Sequence, residues 1–307
     1  MSVLVTGAGG FIGLNLLERL VQARAEVIAT VRPGANRARI GRFARVIVEE
    51  ADLLDAPRLQ EICRKYRPRT IHHLASTGWN ERVAPDEHRR TIETGMRNLL
   101  AAASLANVER LVVTGSAAEY GSGAQFTEES PLRPGTALGK AKAAALSLAV
   151  DAAVRKQIEL VWLRLFTPFG PWEHPLRLVP AVIHAALSRR SVPLRTPHQS
   201  RDFVAVEDVV DALCAAADRR VLPNPAVVNI CRGVPVEAGE MARLILRLAG
   251  VDPSLAVAAA PPPDAETISQ SSGSNARAKA WLAWEPRISL ESGITRSIQW
   301  WKEKRIQ

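Results

Sequence analysis

The stretch VLVTGAGGFIG, residues 3–13, places an apolar strand, a glycine-rich turn and the start of a helix in direct succession. Three of its four glycines, Gly7, Gly10 and Gly13, follow the spacing GxxGxxG and not GxGxxG, because position 12 is Ile. Glycine permits a tight turn, a close approach of backbone N–H groups to a pyrophosphate and close packing of the helix on the strand. The helix N-terminus adds partial positive charge, so the stretch predicts a dinucleotide-binding turn. The predicted cofactor contacts here are Gly7, Gly10, Phe11, Ile12 and Gly13.

Strand patterns alternate with helical patterns beyond this turn. The predicted strands lie at 26–31, 45–53, 70–76, 110–116 and 160–166, and the longer predicted helices at 86–106 and 138–156. Such alternation predicts an α/β fold with a doubly wound parallel Rossmann sheet. Ligands of such sheets bind beyond the carboxyl ends of the strands.

The regular alternation ends near residue 166, where prolines become frequent. We predict a dinucleotide-binding Rossmann domain that comprises 1–165 and about 202–232. The remaining segments, 166–201 and 233–307, are predicted to form a smaller, discontinuous C-terminal α/β domain that binds substrate. Within it, the low-complexity stretch 258–275 predicts a surface loop.

Composition excludes several function classes. The 307 residues carry a net charge of +9, but the basic residues are dispersed, without a helix-turn-helix or zinc-finger pattern. We therefore expect no nucleic-acid partner and an anionic small-molecule substrate. Three widely spaced cysteines without a CxxC motif predict no metal site and fit a reducing cytoplasm. The N-terminal stretch lacks a basic leader, and no apolar run approaches the roughly 20 residues that span a bilayer, so we expect a cytoplasmic protein without a membrane partner.

The segment from Val27 to Val48 contains no acidic residue. In NAD-selective sites an Asp or Glu in this region binds the ribose hydroxyls. Arg32 directly follows the second predicted strand, and a guanidinium binds a 2′-phosphate well. The sequence therefore favours NADP(H) over NAD(H); the alternative is that Arg32 is a solvated loop cation.

The chain resembles the extended short-chain dehydrogenases/reductases, specifically the nucleotide-sugar epimerase/dehydratase group. The likeness runs over nearly the whole length and includes TGAGGFIG (6–13), IHHLAS (71–76), TGSAAEYG (114–121) and RDFVAVEDVVDA (201–212). It implies a nicotinamide cofactor, a keto-sugar carried on a nucleotide as substrate, and a homodimer built on the helices at 86–106 and 138–156.

The resemblance also implies roles for individual residues. Ser116 and Lys142 match the catalytic Ser/Thr and the catalytic Lys, and the resemblance implies that Lys142 also holds the nicotinamide ribose. The further implied cofactor contacts are Asp52, Leu53, Leu74, Ala75 and Ser76. The implied substrate contacts are Thr77, Ser116, Thr167 and Arg201.

The family's Tyr-x-x-x-Lys motif is broken here, because Leu138 occupies the tyrosine position four residues before Lys142. In the family, that phenol exchanges a proton with the substrate oxygen while hydride moves, and leucine has no proton to exchange. Neither Tyr66 nor Tyr120 has a lysine four residues on. The remaining candidate donors are Glu119, Lys140, His174, His198 and water.

Three functions therefore stay open. The first is an oxidoreductase or epimerase of a nucleotide-linked keto-sugar with a non-standard proton donor. The second is an enzyme of the same fold that acts on a non-sugar carbonyl substrate. The third is a catalytically silent NADP-binding sensor or scaffold. Ala117 and Ala118, which stand where the family's dehydratases carry acids, argue against 4,6-dehydratase chemistry.

Overall fold

The computed structural model describes residues 2–35, 37–77, 83–156, 158–260 and 269–306. The strands of this part are β1 (Ser2–Thr6), β2 (Glu26–Val31), β3 (Val46–Glu50), β4 (Thr70–His73), β5 (Arg110–Ser116), β6 (Gly123–Phe126), β7 (Glu159–Leu165), β8 (Thr167–Phe169), β9 (Val192–Leu194), β10 (Ser200–Arg201), β11 (Phe203–Ala205), β12 (Ala226–Ile230), β13 (Val236–Glu237), β14 (Ala256–Ala258) and β15 (Gln270–Gly273). The α-helices are α1 (Phe11–Gln22), α2 (Ala38–Gly41), α3 (Ala56–Tyr66), α4 (Pro85–Arg89), α5 (Gly95–Leu105), α6 (Ala137–Lys156), α7 (Leu178–Leu187), α8 (Val206–Asp218), α9 (Ala238–Leu248) and α10 (Leu290–Ile306).

Seven parallel strands form the central sheet, in the order β12-β7-β5-β4-β1-β2-β3. The chain winds from β1 outward through β2 and β3, then crosses back to β4 and continues outward on the other side. Strand order therefore reverses between β1 and β4, which pair in parallel from Val3 with Thr70 to Thr6 with His73. This arrangement confirms the predicted doubly wound Rossmann sheet and puts a crevice at the carboxyl ends of β1 and β4.

Both faces of the sheet are covered by helices. Val5 packs into the cluster that includes α1 and α8, whereas its neighbour Leu4 packs into the cluster that includes α3, α5 and α6. Successive side chains of a strand point to opposite faces, so a strand buried on both sides reads as a continuous apolar run. Burial on both faces therefore explains why residues 3–5, directly before the glycine-rich turn, are all apolar.

A third hydrophobic cluster lies in the C-terminal part, where α7, α9 and α10 pack together with β8, β9 and β11. A small sheet has the strand order β13-β10-β15-β6. Three of its strands come from the C-terminal half of the chain, and β6 comes from the N-terminal half. The division into a dinucleotide-binding and a substrate-binding domain stays a prediction.

The predicted surface loop at 258–275 is wrong in part. Gln270–Gly273 forms strand β15, which pairs with β10 and β6, and Ser271 and Ser272 are buried. Serine and glycine carry little strand propensity of their own, so the strand is held by backbone pairing with its neighbours. Residues 261–268 lie outside the described part of the chain.

The helix predicted at 86–106 is one continuous helical segment with an irregular turn inside it. Helix α4 passes into a π-helical turn at Arg90–Thr94, and α5 continues from Gly95. This segment and α6 pack side by side against the sheet. Among the described residues, no helix is both long enough and apolar enough to cross a membrane.

Candidate cofactor and catalytic site

The glycine-rich turn lies between the end of β1 and the start of α1. Gly7 has a φ of +69°, and a Cβ there would stand 2.6 Å from the backbone nitrogen of Ala75. A Cβ on Gly13 would stand 2.7 Å from the carbonyl oxygen of Ala8. Gly10 precedes α1 and provides no side chain to cap its first turn, which also contains no acid. The first amides of α1 therefore suit an anionic group, and the turn fits a pyrophosphate.

A cavity of about 430 Å³ opens beside this turn, at the carboxyl ends of β1, β2 and β4. Many predicted cofactor and substrate contacts come together in its wall, namely Gly7, Gly10, Arg32, Asp52, Leu53, Leu74, Ala75, Ser76 and Thr77. Its remaining lining residues were not predicted, namely Gly9, Thr30, Val31, Ala35, Arg39, Ala51 and Thr91. The cavity lies where strand order reverses, as expected for a ligand site in this type of sheet.

Other predicted residues do not line this cavity. Phe11, Ile12 and Gly13 form the first turn of α1, where Ile12 packs against the sheet cluster and Gly13 is buried. The remaining ones lie further along the same sheet edge or in the small sheets, namely Ser116, Lys142, Thr167 and Arg201. Their roles stay predictions.

The arginines after β2 divide into two groups. Arg32 and Arg39 line the cavity. Arg37 instead forms an ion pair with Glu50, with its Nη2 2.7 Å from the Glu50 Oε1. The guanidinium carbons of Arg39 and Arg42 lie 6.0 Å and 5.3 Å from the ring centre of Trp172.

Trp172 connects this end of the cavity to the C-terminal helix. Its ring meets Trp300 of α10 edge to face at 4.9 Å, and the Lys304 ammonium lies 5.1 Å from the Trp172 ring centre. Trp300 in turn contacts Trp301, which packs against His184 of α7. The last helix is therefore fixed beside the arginines that border the cavity.

Ser116 and Lys142 lie at the carboxyl end of β5 and on the second turn of α6. The Lys142 Nζ donates to the carbonyl oxygen of Thr114 at 2.8 Å, and the Ser116 Oγ accepts from the Ala118 N–H at 3.1 Å. Burial lowers the pKa of Lys142 to about 8, against the opposing effect of the Glu119 carboxylate. Lys142 has further N–H donors beyond the one bound to Thr114, so it can also bind hydroxyls above the strand end.

Lys142 also lies close to the end of β4. Burial, with a smaller contribution from the Lys142 cation, lowers the pKa of His73 to about 3. The His73 Nδ1 is 2.8 Å from the Thr6 Oγ1, so the ends of β1 and β4 are tied together beneath the cavity. These contacts connect the lysine to the strand ends that form the cavity.

A buried ion pair supports Ser116 from below. The Glu119 carboxylate accepts from Arg164 Nε at 2.7 Å, from Trp162 Nε1 at 3.1 Å and from the Ser116 N–H at 2.8 Å. Glu119 has no exposed surface, and Arg164 is 3% exposed. All these donors hold the carboxylate in the core, so Glu119 is poorly placed to exchange a proton with a substrate.

The model of the NAD dependent epimerase/dehydratase family matches residues 3–231, which include every strand of the central sheet except the first residue of β1. The chain belongs to this family.

Relatives within the family align over nearly their whole length. The chain is 29% identical to a dTDP-6-deoxy-L-talose 4-dehydrogenase (NAD(P)(+)) of Kitasatospora kifunensis, covering 95% of this chain and 93% of that protein. It is 27% identical to a UDP-glucose 4-epimerase of Mycolicibacterium smegmatis, covering 99% of each chain. The solved structure of MoeE5 in complex with UDP-glucuronic acid and NAD is 28% identical, covers 99% of this chain and 100% of that chain, and superposes with a TM-score of 0.87.

Position 138 of this epimerase/dehydratase family member is a leucine and offers no polar group. Leu138 is half-buried and packs into the cluster that also includes Ala75 of the cavity wall. Both tyrosine hydroxyls are engaged elsewhere, since Tyr66 donates to Glu49 and Tyr120 donates to Asn229 at 2.7 Å. Both tyrosine hydroxyls are therefore already engaged, and neither takes the place of a tyrosine at position 138.

One polar pair beside the cavity was missed by the sequence analysis. The Thr77 Oγ1 lies 2.5 Å from the Nδ1 of His88, which is half-buried on α4. No motif joins the two residues, and only their adjacency after folding reveals the pair.

Arg201 and Thr167 lie in the small sheets of this epimerase/dehydratase chain. Arg201 donates to the carbonyl oxygen of Ser200 and to Gln199 Oε1, each at 2.9 Å, and burial lowers the pKa of its guanidinium. Thr167 begins β8, and its N–H donates to the carbonyl oxygen of Asp202 at 2.9 Å. Their predicted contact with substrate stays a prediction.

Proposed function

We propose that the protein is an NAD(P)-dependent oxidoreductase or epimerase that acts on a keto-sugar carried on a nucleotide, with NADP(H) as the preferred cofactor. The observation that carries this proposal is the cavity at the strand reversal, which joins the glycine-rich turn to Arg32 and Arg39. Ser116 and Lys142 lie on the same sheet edge, at the carboxyl end of β5.

A bound nicotinamide supplies or accepts the hydride in such a reaction. The glycine-rich turn binds the pyrophosphate, and Lys142 binds the nicotinamide ribose. Ser116 donates a hydrogen bond from its hydroxyl to the substrate oxygen, which polarises the reacting bond. These functions need no further metal, and the described residues contain no group of three or more potential metal ligands.

The preference for NADP(H) follows from two guanidinium groups at the adenosine end. Each charge-assisted hydrogen bond contributes about 1.5–3 kcal/mol, so Arg32→Ala is expected to weaken NADPH binding by about 10- to 100-fold and to leave NADH binding nearly unchanged. Calorimetric titration of both nucleotides measures this difference. Tighter binding of NADH than of NADPH by the unaltered protein would contradict the preference.

The relatives' nucleotide-sugar substrates support the choice of substrate class. Turnover is measured as the change in absorbance at 340 nm with NADPH and a panel of 4-keto nucleotide sugars, and with NADP⁺ and UDP-glucose. Lys142→Ala is expected to abolish the activity, whereas Lys140→Ala, an exposed position on the same helix turn, leaves it intact. If the protein binds NADPH tightly but turns over no nucleotide sugar at any pH tested, the result would favour the catalytically silent NADP-binding sensor instead.

We also propose a homodimer formed by α5 and α6. Between these helices lies a groove of about 230 Å³ lined by Leu100, Leu148, Ala152, Arg97 and Arg155. Its apolar side chains suit a contact with the same surface of a second copy of the chain. A monomer mass in light scattering would reject the dimer, and the cytoplasmic location stays a prediction.

A further inference from the structure

The absence of the family phenol leaves the reaction without its usual proton acceptor. The donors named from the sequence are poorly placed to replace it. Glu119 is fixed by Arg164 in the core, and Lys140 is exposed on α6. His198 is 88% exposed beside Glu237, and the exposed His174 accepts from the Leu176 N–H within its own loop.

Thr77 lies at the sheet edge that also carries Ser116. Strands β4 and β5 pair in parallel, with His73 beside Val113. Ser116 is the last residue of β5 and Thr77 follows the end of β4 by four residues, so both lie at the carboxyl edge of these two neighbouring strands. Thr77 follows Ser76 directly and lines the cofactor cavity.

His88 approaches the same place from the helical side. Helix α4 follows the carboxyl end of β4 and α6 follows the carboxyl end of β5, so both helices begin at the same sheet edge. The two helices pack against each other, and Leu138 and Lys142 lie on the first turns of α6. His88 is half-buried there, with its Nδ1 2.5 Å from the Thr77 Oγ1.

We propose that Thr77 and His88 form a proton relay that replaces the missing tyrosine. In the oxidative direction the substrate hydroxyl gives its proton to Thr77 Oγ1 as Thr77 passes its own proton to His88 Nδ1. A bound oxidised nicotinamide would supply the hydride acceptor for the same carbon, so the alcohol becomes a ketone and His88 becomes an imidazolium. In the reductive direction every transfer reverses. The relay rests on the proposed function, since it needs an alcohol or keto group and a nicotinamide.

Imidazole is suited to this role, because its ordinary pKa lies near neutrality. The relay requires the neutral ring to carry its proton on Nε2, so that Nδ1 accepts from the Thr77 hydroxyl. The charged groups on α4, on the helical segment that continues it and on α6, which packs against it, are Asp86, Glu87, Arg89, Arg90, Glu93, Arg97, Lys140, Lys142, Asp151, Arg155 and Lys156.

The first experiment needs no substrate. Nitrogen-15 NMR of the imidazole rings of the cofactor-free protein is expected to show His88 as the Nε2–H tautomer. Thr77→Val, which keeps the shape of the side chain and removes its hydroxyl, is expected to shift the His88 titration midpoint. An Nδ1–H tautomer, or a midpoint that Thr77→Val leaves unchanged, overturns the relay.

The second experiment measures UDP-glucose oxidation with NADP⁺ and with NAD⁺. General acid–base catalysis contributes at least about 100-fold, so His88→Gln and Thr77→Val are each expected to lower kcat by about 100-fold with little change in KM. His88→Gln is also expected to remove the limb of the pH–kcat profile that reports imidazole titration. The matched control is His198→Gln, an exposed histidine in another part of the fold, which is expected to leave kcat and the pH profile unchanged.

The outcomes separate the two proposals. If the unaltered protein oxidises the sugar and His88→Gln does so with the same kcat and pH profile, the relay is wrong and the proposed function stands. If the unaltered protein turns over neither UDP-glucose nor the 4-keto sugars, the proposed function fails, and the relay fails with it.

Discussion

The buried ion pair between Glu119 and Arg164 yields a prediction about stability. Replacing Glu119 by Gln keeps the size of the side chain, but it leaves the Arg164 guanidinium without a counter-charge at a position only 3% exposed. Breaking a buried pair by removing one partner costs about 3–5 kcal/mol. Three hydrogen bonds converge on the carboxylate, from Arg164, Trp162 and the Ser116 backbone, which supports the upper part of that range.

Urea unfolding measures the effect. With a slope of about 3 kcal/mol per molar urea, Glu119→Gln is expected to lower the unfolding midpoint by about 1–2 M. The matched control is Glu61→Gln, because Glu61 pairs with Arg58 at the surface and is 62% exposed. An exposed pair contributes below about 1 kcal/mol, so the control is expected to shift the midpoint by less than about 0.3 M.

A double variant separates the charge effect from lost packing. Glu119→Gln combined with Arg164→Met removes both charges, and it is expected to recover part of the stability that Glu119→Gln alone loses. If Glu119→Gln unfolds at the same urea concentration as the Glu61→Gln control, the pair does not hold the end of β5 as described. The same result would reopen Glu119 as a proton donor.

Three further predictions concern the site. Gly13→Ala is expected to abolish NADPH binding in calorimetry, because its Cβ would stand 2.7 Å from the carbonyl oxygen of Ala8, whereas Gly41→Ala, where a Cβ meets nothing within 4 Å, should bind normally; equal affinities would refute the close-packed turn. Leu138→Tyr is expected to raise kcat, measured by absorbance at 340 nm, because its phenol can exchange a proton with the substrate oxygen. Leu138→Phe, which has no hydroxyl, should not raise kcat. Equal kcat values for the two variants would show that position 138 lies away from the reacting atoms. Because burial lowers the pKa of Lys142 from 10.5 to about 8, the unfolded chain binds the extra proton between these values. The contribution of Lys142 to the free energy of unfolding should therefore rise with pH from about 8 to 10.5. The measurement is the free energy of unfolding against pH for the parent and for Lys142→Met. A difference between the two proteins that stays constant over this window would contradict the prediction.

The central sheet was predictable because its signals are local. The run at 3–6, the glycines behind it and the following amphipathic helix specify a strand, a turn and a helix without reference to the rest of the chain. Their repetition then leaves a parallel doubly wound sheet as the consistent arrangement. Strand β15 was missed because its sequence, QSSG, has no apolar alternation and depends on pairing with β10 and β6.

The cavity wall was predictable only where its residues directly follow a strand. Arg32 and Asp52 follow β2 and β3, so the strand ends fix their approximate location. Arg39 and Thr91 come from helical segments whose approach depends on packing, and the sequence offers no signal for it. His88 also comes from a helix, eleven positions after Thr77, and the sequence gives no signal that the two side chains meet.

The surroundings of Glu119 could not be predicted from the sequence for a different reason. Its closeness to Ser116 along the chain made it a candidate donor, and the structure does place it within hydrogen-bond distance of the Ser116 backbone. The partner that decides its role, Arg164, lies on β7, 45 residues away. Sequence distance could not distinguish a carboxylate that faces substrate from one that is neutralised in the core.

The position of Trp172 gives the protein an optical reporter of its own. The indole lies between Arg39, which borders the nucleotide cavity, and Trp300 of the last helix. A nucleotide phosphate that attracts Arg39 changes the charge over the indole ring, and tryptophan emission responds to such a change. Cofactor arrival can therefore be followed by intrinsic fluorescence in the unlabelled chain, with Trp172→Phe identifying the signal.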